Sequence, residues 1–161
     1  MTTEATTLTN VPISEMEIGK KATYTKTCTE NDVMLFATVS GDVNPVHIDE
    51  DYAKTTQFGQ RIAHGMYTGA LVSAALAVEL PGPGTIYLGQ ELKFKAPVFI
   101  GDTITVELEV ETIREDKAIV GLLCTCTNQD GKVVAAGKAT VIAPKEKLEV
   151  AAPSLPNVSI G

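Results

Sequence analysis

Residues 65–80 constrain this chain more than any other stretch. Gly69, Ala70, Ser73, Ala74, Ala75 and Ala77 alternate with Leu71, Val72, Leu76 and Val78, and no charge occurs before Glu79. A helix without charge on any face is a buried helix, and its small residues let a sheet approach closely. Pro81, Gly82, Pro83 and Gly84 end it. The uncharged run 65–78 is too short to span a bilayer. The rest of the chain must therefore supply the cover, and the residues that follow have strand periodicity. In 86–96, Leu88, Leu92 and Phe94 oppose Lys93 and Lys95. In 103–110, Ile104, Val106, Leu108 and Val110 alternate with Thr and Glu. Runs 118–127 and 133–142 follow, joined by a hairpin turn at Asn128, Gln129, Asp130 and Gly131. A meander with one apolar face and one apolar helix has one economical packing. The sheet curls around the helix, giving an α+β layer pair.

The first half of the chain is shorter in its rhythm. Residues 19–28 have strand character, with Ala22, Tyr24 and Cys28 on one face and Thr23, Thr25 and Thr27 on the other. Thr29 and Asp32 have the spacing of a capping box, and Val33, Phe36, Ala37 and Ser40 mark a helix that Gly41 terminates. Pro45 makes residues 42–48 a loop rather than regular helix. Asp49, Glu50 and Asp51 then open a second short helix. The expected organisation is a mobile N-terminal tail over 1–12, one domain over 13–143, and a proline-marked C-terminal tail over 144–161.

Composition removes several classes of function. The 161 residues carry a formal net charge of −7, which is the wrong sign for a nucleic-acid surface. Cys28, Cys124 and Cys126 are an odd count without a pairing pattern. Cys124 and Cys126 sit two apart and share one face of a strand, as small core residues do. The N-terminal stretch has neither a basic segment nor an apolar one, so the expectation is a cytoplasmic protein with no membrane and no nucleic-acid partner.

The chemistry concentrates between Ser40 and His47. Asp42 and His47 are five residues apart, roughly 17 Å if fully extended. The Asn44–Pro45 bend shortens that span and can aim both side chains into one cleft. A carboxylate and an imidazole there can share one water, one taking a proton and the other delivering one. Asn44 can fix the loop or the carboxylate. The blander roles stand beside these: a turn acid for Asp42 and a packed ring for His47. The second histidine, His64, directly precedes Gly65 at the start of the apolar helix. A glycine amide at a helix N-terminus is a ready donor to developing negative oxygen. Ser73, two turns on, needs a hydroxyl partner: its own i−4 carbonyl, Asp42 or a ligand group. Asp42, His47, Asp49 and His64 are possible metal ligands, but no metal-binding spacing supports them, and no dinucleotide or phosphate-loop glycine pattern occurs.

Residues Phe36 to His47, with Ala53, resemble the MaoC-like hydratases, and within them the (R)-specific enoyl-CoA hydratase group. The element Ser40-Gly41-Asp42-x-Asn44-Pro45-x-His47 is the specific part of the likeness. Segments 61–66, 86–90 and 94–102 look like the same family, so the likeness spans roughly 15–143. The resemblance implies a hot-dog fold, a long central helix wrapped by a curved antiparallel sheet, paired as a homodimer or dimer-based oligomer. It implies that Asp42 and His47 are the catalytic pair, that the Gly65 amide holds a thioester oxygen, and that Ser73 supports the site. Asn44, His64 and Leu76 become candidates for substrate contacts, with Leu76 a wall of the acyl tunnel. Lys93, Lys95 and Arg61 are the cations that could meet coenzyme A phosphates. The implied reaction is reversible hydration of a trans-2-enoyl-CoA to an (R)-3-hydroxyacyl-CoA. No separate cofactor is expected, because coenzyme A enters as part of the substrate. A thioesterase, a dehydratase acting on carrier-bound chains, and a non-catalytic acyl-thioester binding module are the rival readings.

Overall fold

A computed structural model describes residues 6–161. In chain order the elements are β1 (Thr7–Thr9), β2 (Lys21–Thr27), α1 (Glu30–Ser40), α2 (Pro45–Ile48), α3 (Glu50–Lys54), α4 (Gly65–Val78), β3 (Ile86–Phe94), β4 (Thr103–Arg114), β5 (Ile119–Thr127), β6 (Val133–Ile142) and β7 (Glu149–Ala151). Five strands form one antiparallel sheet in the order β2-β4-β5-β6-β3, which curves over α4.

The period-2 pattern sets the inner face. Ile104, Val106, Leu108 and Val110 of β4 are buried, as are Val120, Leu122, Cys124 and Cys126 of β5. They meet Leu71, Val72, Ala75 and Leu76 of α4 in one core. Each such aliphatic side chain contributes about 1.5–3 kcal/mol on leaving water. All three cysteines are buried free thiols. Burial pushes Cys28 and Cys124 up to about 11 and Cys126 to about 12, so they pack as neutral small residues.

Four expectations are corrected. First, the strands are not a simple meander. β3 precedes β4 in the chain but lies at the far edge, beside β6. Gly137 makes this possible: a Cβ there would collide with the Glu91 backbone on β3. Second, α4 is not buried on every side. Gly65, Met66, Ala70 and Ala77 are exposed in the single chain, and Met66 is 61% exposed. β3 likewise exposes Ile86, Leu88 and Phe94. Third, Asn44–Ile48 is not all loop. Asn44 caps the single turn of α2 and Pro45 occupies its first position, where a missing N–H costs nothing. Fourth, parts of both segments read as tails are tied down. β1 pairs with β7. Asn10, 1% exposed, donates through Nδ2 to the carbonyls of Pro83 and Glu146 and accepts from the Leu148 amide. Residues 1–5 of the expected N-terminal tail lie outside the described residues.

Candidate active site

The loop that carries the acid is built by α1. Thr29 and Asp32 form a reciprocal capping box at its start. Burial pushes the Asp32 carboxyl up, but the Thr29 amide and the Lys26 ammonium outweigh it and hold it below its ordinary value. At the other end Gly41, with φ +78°, turns the chain out of the helix, a conformation glycine adopts without strain. The Asp42 amide donates to Ser40 Oγ at 3.1 Å, and the Asn44 amide donates to Asp42 Oδ1 at 3.1 Å. Asn44 Oδ1 in turn accepts from the Val46 amide at 3.4 Å. The bend thus comes from successive side-chain bonds to backbone amides. It leaves Asp42 Oδ2 free of this chain of bonds.

The single turn of α2 points His47 inward, where it is 8% exposed. Its Nδ1 lies 2.8 Å from the Ile62 carbonyl. A carbonyl only accepts, so Nδ1 carries the proton and Nε2 keeps its lone pair in the neutral ring. That Nε2 lies 3.9 Å from Asp42 Oδ2. The gap exceeds a direct hydrogen bond and suits one water bound to both groups. Burial lowers the His47 pKa; the Ile62 bond and the Asp42 charge oppose this without reversing it. A neutral imidazole beside a carboxylate is therefore the resting state near neutral pH.

His64 joins this pair to α4. It is 2% exposed, and its Nε2 donates to the Asp42 carbonyl at 2.9 Å. Its ring stacks on His47 at 3.9 Å between centroids and tilts against Phe36 at 5.0 Å. Its Nδ1 is buried without a partner among the described residues. Gly65 follows as the first residue of α4, and no side chain caps that helix start. Gly65 lines a cavity of about 320 Å³ together with Phe58, Ile62, His64, Phe94 and Lys95. Partial positive charge at a bare helix start favours developing negative charge on a ligand oxygen.

Asp42, His47 and His64 each offer one possible metal-ligating atom, all within 4.8 Å of one another. Their hydrogen bonds fit proton transfer better than coordination. His64 spends its Nε2–H on the Asp42 carbonyl.

The other residues singled out in the sequence fall elsewhere. Asn44 is a helix cap. Ser73 is half-buried and lines a second cavity, about 500 Å³, together with Phe36, Met66, Gly69, Leu92 and Phe94. Leu76 is 1% exposed, packs in the core and is absent from that lining. Its place on α4 one turn after Ser73 is read correctly, but the sheet covers that face. Arg61 is not a free surface cation. It is 9% exposed, donates through Nε to the His47 carbonyl at 2.7 Å, and pairs through Nη1 with Glu30 at 2.8 Å. Lys93 is exposed on β3, whereas Lys95 lines the cavity at Gly65. Sequence spacing carries no signal for Arg61 holding His47, nor for the Ile62 carbonyl that sets its tautomer, because both contacts join segments separated in the chain.

A helix wrapped by this five-stranded antiparallel sheet is the hot-dog architecture. The family model described as "MaoC like domain" matches residues 14–142. The chain is 50% identical over 130 residues to the (R)-specific enoyl-CoA hydratase of Rhodospirillum rubrum, covering 81% of this chain and 90% of that one. It is 45% identical over 129 residues to the (R)-specific enoyl-CoA hydratase of Aeromonas caviae, covering 80% and 96%. The solved structure of R-hydratase PhaJ1 from Pseudomonas aeruginosa, in its unliganded form, superposes with a TM-score of 0.93 at 54% identity, covering 97% of this chain and all of that one. The chain belongs to the MaoC-like family.

Proposed function

We infer that this chain is an (R)-specific enoyl-CoA hydratase, a hydro-lyase that adds water reversibly across the C2=C3 bond of a trans-2-enoyl-CoA. The observation that carries the reading is the neutral His47 Nε2 facing Asp42 Oδ2 at 3.9 Å, joined through His64 to the uncapped start of α4. One water held between the two groups loses a proton to one of them as its oxygen bonds to C3. The π electrons move toward C1, and the thioester oxygen gains charge that the Gly65 amide and the helix start stabilise. The pair then delivers that proton to C2 from the same side, which returns both groups to their starting state. Water is consumed whole, no redox step occurs, and no metal or added cofactor is required.

The larger cavity beside Ser73 has the apolar lining an acyl chain needs, and the smaller one in front of Gly65, with Lys95 at its wall, suits the pantetheine arm. The apolar side chains exposed on α4 and β3 support a homodimer joined at the β3 edge, since an unpaired strand edge is a template for a second copy. No helix among the described residues is long and apolar enough to cross a membrane; with the acyl-CoA substrate, this fits the cytoplasm.

Mixing the protein with crotonyl-CoA tests the reading. Loss of enoyl absorbance without free thiol, and (R)-3-hydroxybutyryl-CoA as product, is the expected result. Thiol release would make it a thioesterase. Binding with neither change would make it a non-catalytic module.

A further inference from the structure

We propose that Phe94 determines acyl-chain specificity, as the ring that separates the two cavities of the site. The proposal rests on the hydratase reading and on the thioester lying across the start of α4. Among the described residues, Phe94 alone lines both the cavity at Gly65 and the cavity at Ser73. Its ring lies against the donor glycine: a Cβ built on Gly65 would stand 3.3, 3.3 and 3.4 Å from Phe94 Cε2, Cζ and Cδ2. A linear thioester with its carbonyl oxygen at the Gly65 amide must therefore pass this ring between its pantetheine and acyl ends.

The backbone beneath the ring is fixed. Phe94 is the last residue of β3 and sits opposite Ala135 on β6. The Lys95 and Ala96 amides donate to the Val134 carbonyl at 2.8 and 3.3 Å. Pro97 restricts the chain just beyond. Phe94 is 51% exposed in the single chain, and its ring borders both cavities. Across from it, Met66 is exposed and flexible, with its Cε 3.1 Å from where a Cβ on Gly69 would stand. One wall of the acyl cavity can yield and the other is a flat ring on a rigid strand. Each methylene admitted past that ring gains apolar burial. A ring that limits passage thereby limits the preference for longer chains.

The experiment measures kcat/KM of the full chain and its Phe94→Ala, Phe94→Leu and Phe94→Trp variants on trans-2-enoyl-CoAs of increasing chain length. Phe94→Ala should raise the octenoyl-to-crotonyl ratio by roughly 10–100-fold, with Phe94→Leu between it and wild type. Phe94→Trp should lower the ratio. Ratios unchanged in Phe94→Leu and Phe94→Trp, while crotonyl-CoA is still hydrated, would overturn the role of Phe94 and leave the hydratase reading standing. These two variants decide the matter if Phe94→Ala does not fold, as judged by circular dichroism. A shift in the ratio on Phe58→Ala instead would overturn it too, by placing the acyl chain in the smaller cavity. Failure of the wild-type chain to hydrate any enoyl-CoA would remove the underlying reading, and this proposal with it.

Discussion

His47 owes its chemical role to a main-chain atom. The Ile62 carbonyl holds the proton on Nδ1 and so directs the basic Nε2 toward Asp42. Removing either partner of the pair should lower kcat with crotonyl-CoA by about 10²–10⁴-fold, and the two losses should not add in the double variant. Steady-state kinetics of Asp42→Asn, His47→Gln and the pair checks this; near-normal turnover in either single variant would exclude the shared-water mechanism. The pH dependence follows from burial. His47 titrates below its ordinary 6.5 in the folded protein, so kcat/KM should hold above that value and fall as pH drops through the lower one. Because the folded pKa is depressed, the contribution of His47 to stability is complete above about 6.5 and fades as acid protonates the unfolded chain preferentially. A pH–rate profile without an acid limb below 6.5 would contradict the neutral-base assignment. Asp42 and His47 are legible in the sequence because the bend between them is local and made of residues with strong turn preferences. Arg61 is not, because its partners Glu30 and His47 lie on two other segments and nothing in the local sequence distinguishes a buried arginine from a surface one.

The elements show where periodicity informs and where it stops. Alternation in residues 103–110 identifies the buried face of β4 residue by residue, and the Thr29/Asp32 spacing identifies the start of α1. Alternation cannot say which strand lies beside which, so the edge position of β3 is invisible in residues 86–96. The cue sits in β6 instead. At Gly137 a Cβ would collide with the Glu91 backbone of β3. Pro45 misleads for a related reason: its ring forbids the interior of a helix but suits the first position, and only the fold decides which one it occupies. Gly137→Ala should force β3 away from β6 and destabilise the protein by about 2–4 kcal/mol, since the obstructing atoms are backbone and cannot rotate aside. Urea unfolding measures the loss, and hydrogen exchange should show it concentrated in the β3 amides. An unaltered midpoint would mean that the two strands do not approach as described.

Across the whole molecule, two ends and one face remain to be held. The ends are joined by Asn10, which spends both kinds of side-chain group on three backbone partners from two segments. Asn10→Ala removes three hydrogen bonds to the backbone and should cost about 1–3 kcal/mol, read as a lowered thermal midpoint with crotonyl turnover retained at low temperature. The face is the more consequential case. α4 has no charged residue, yet the single chain covers only one side of it; Met66, Ile86, Leu88 and Phe94 remain open beside an unpaired strand edge. A second copy meeting β3 edge to edge would cover that surface and continue the sheet, and a stable interface needs about 800 Å² from each partner. Sedimentation should therefore give a particle of twice the 17.0 kDa chain mass. Leu88→Asp places charge where the copies would meet and should shift the protein toward the single-chain mass at micromolar concentration. Because both cavities adjoin the same face, crotonyl-CoA turnover should fall with the dimer fraction and recover as concentration drives the variant together. A wild-type protein that sediments as one chain, with full activity, would place the uncovered face outside the working enzyme.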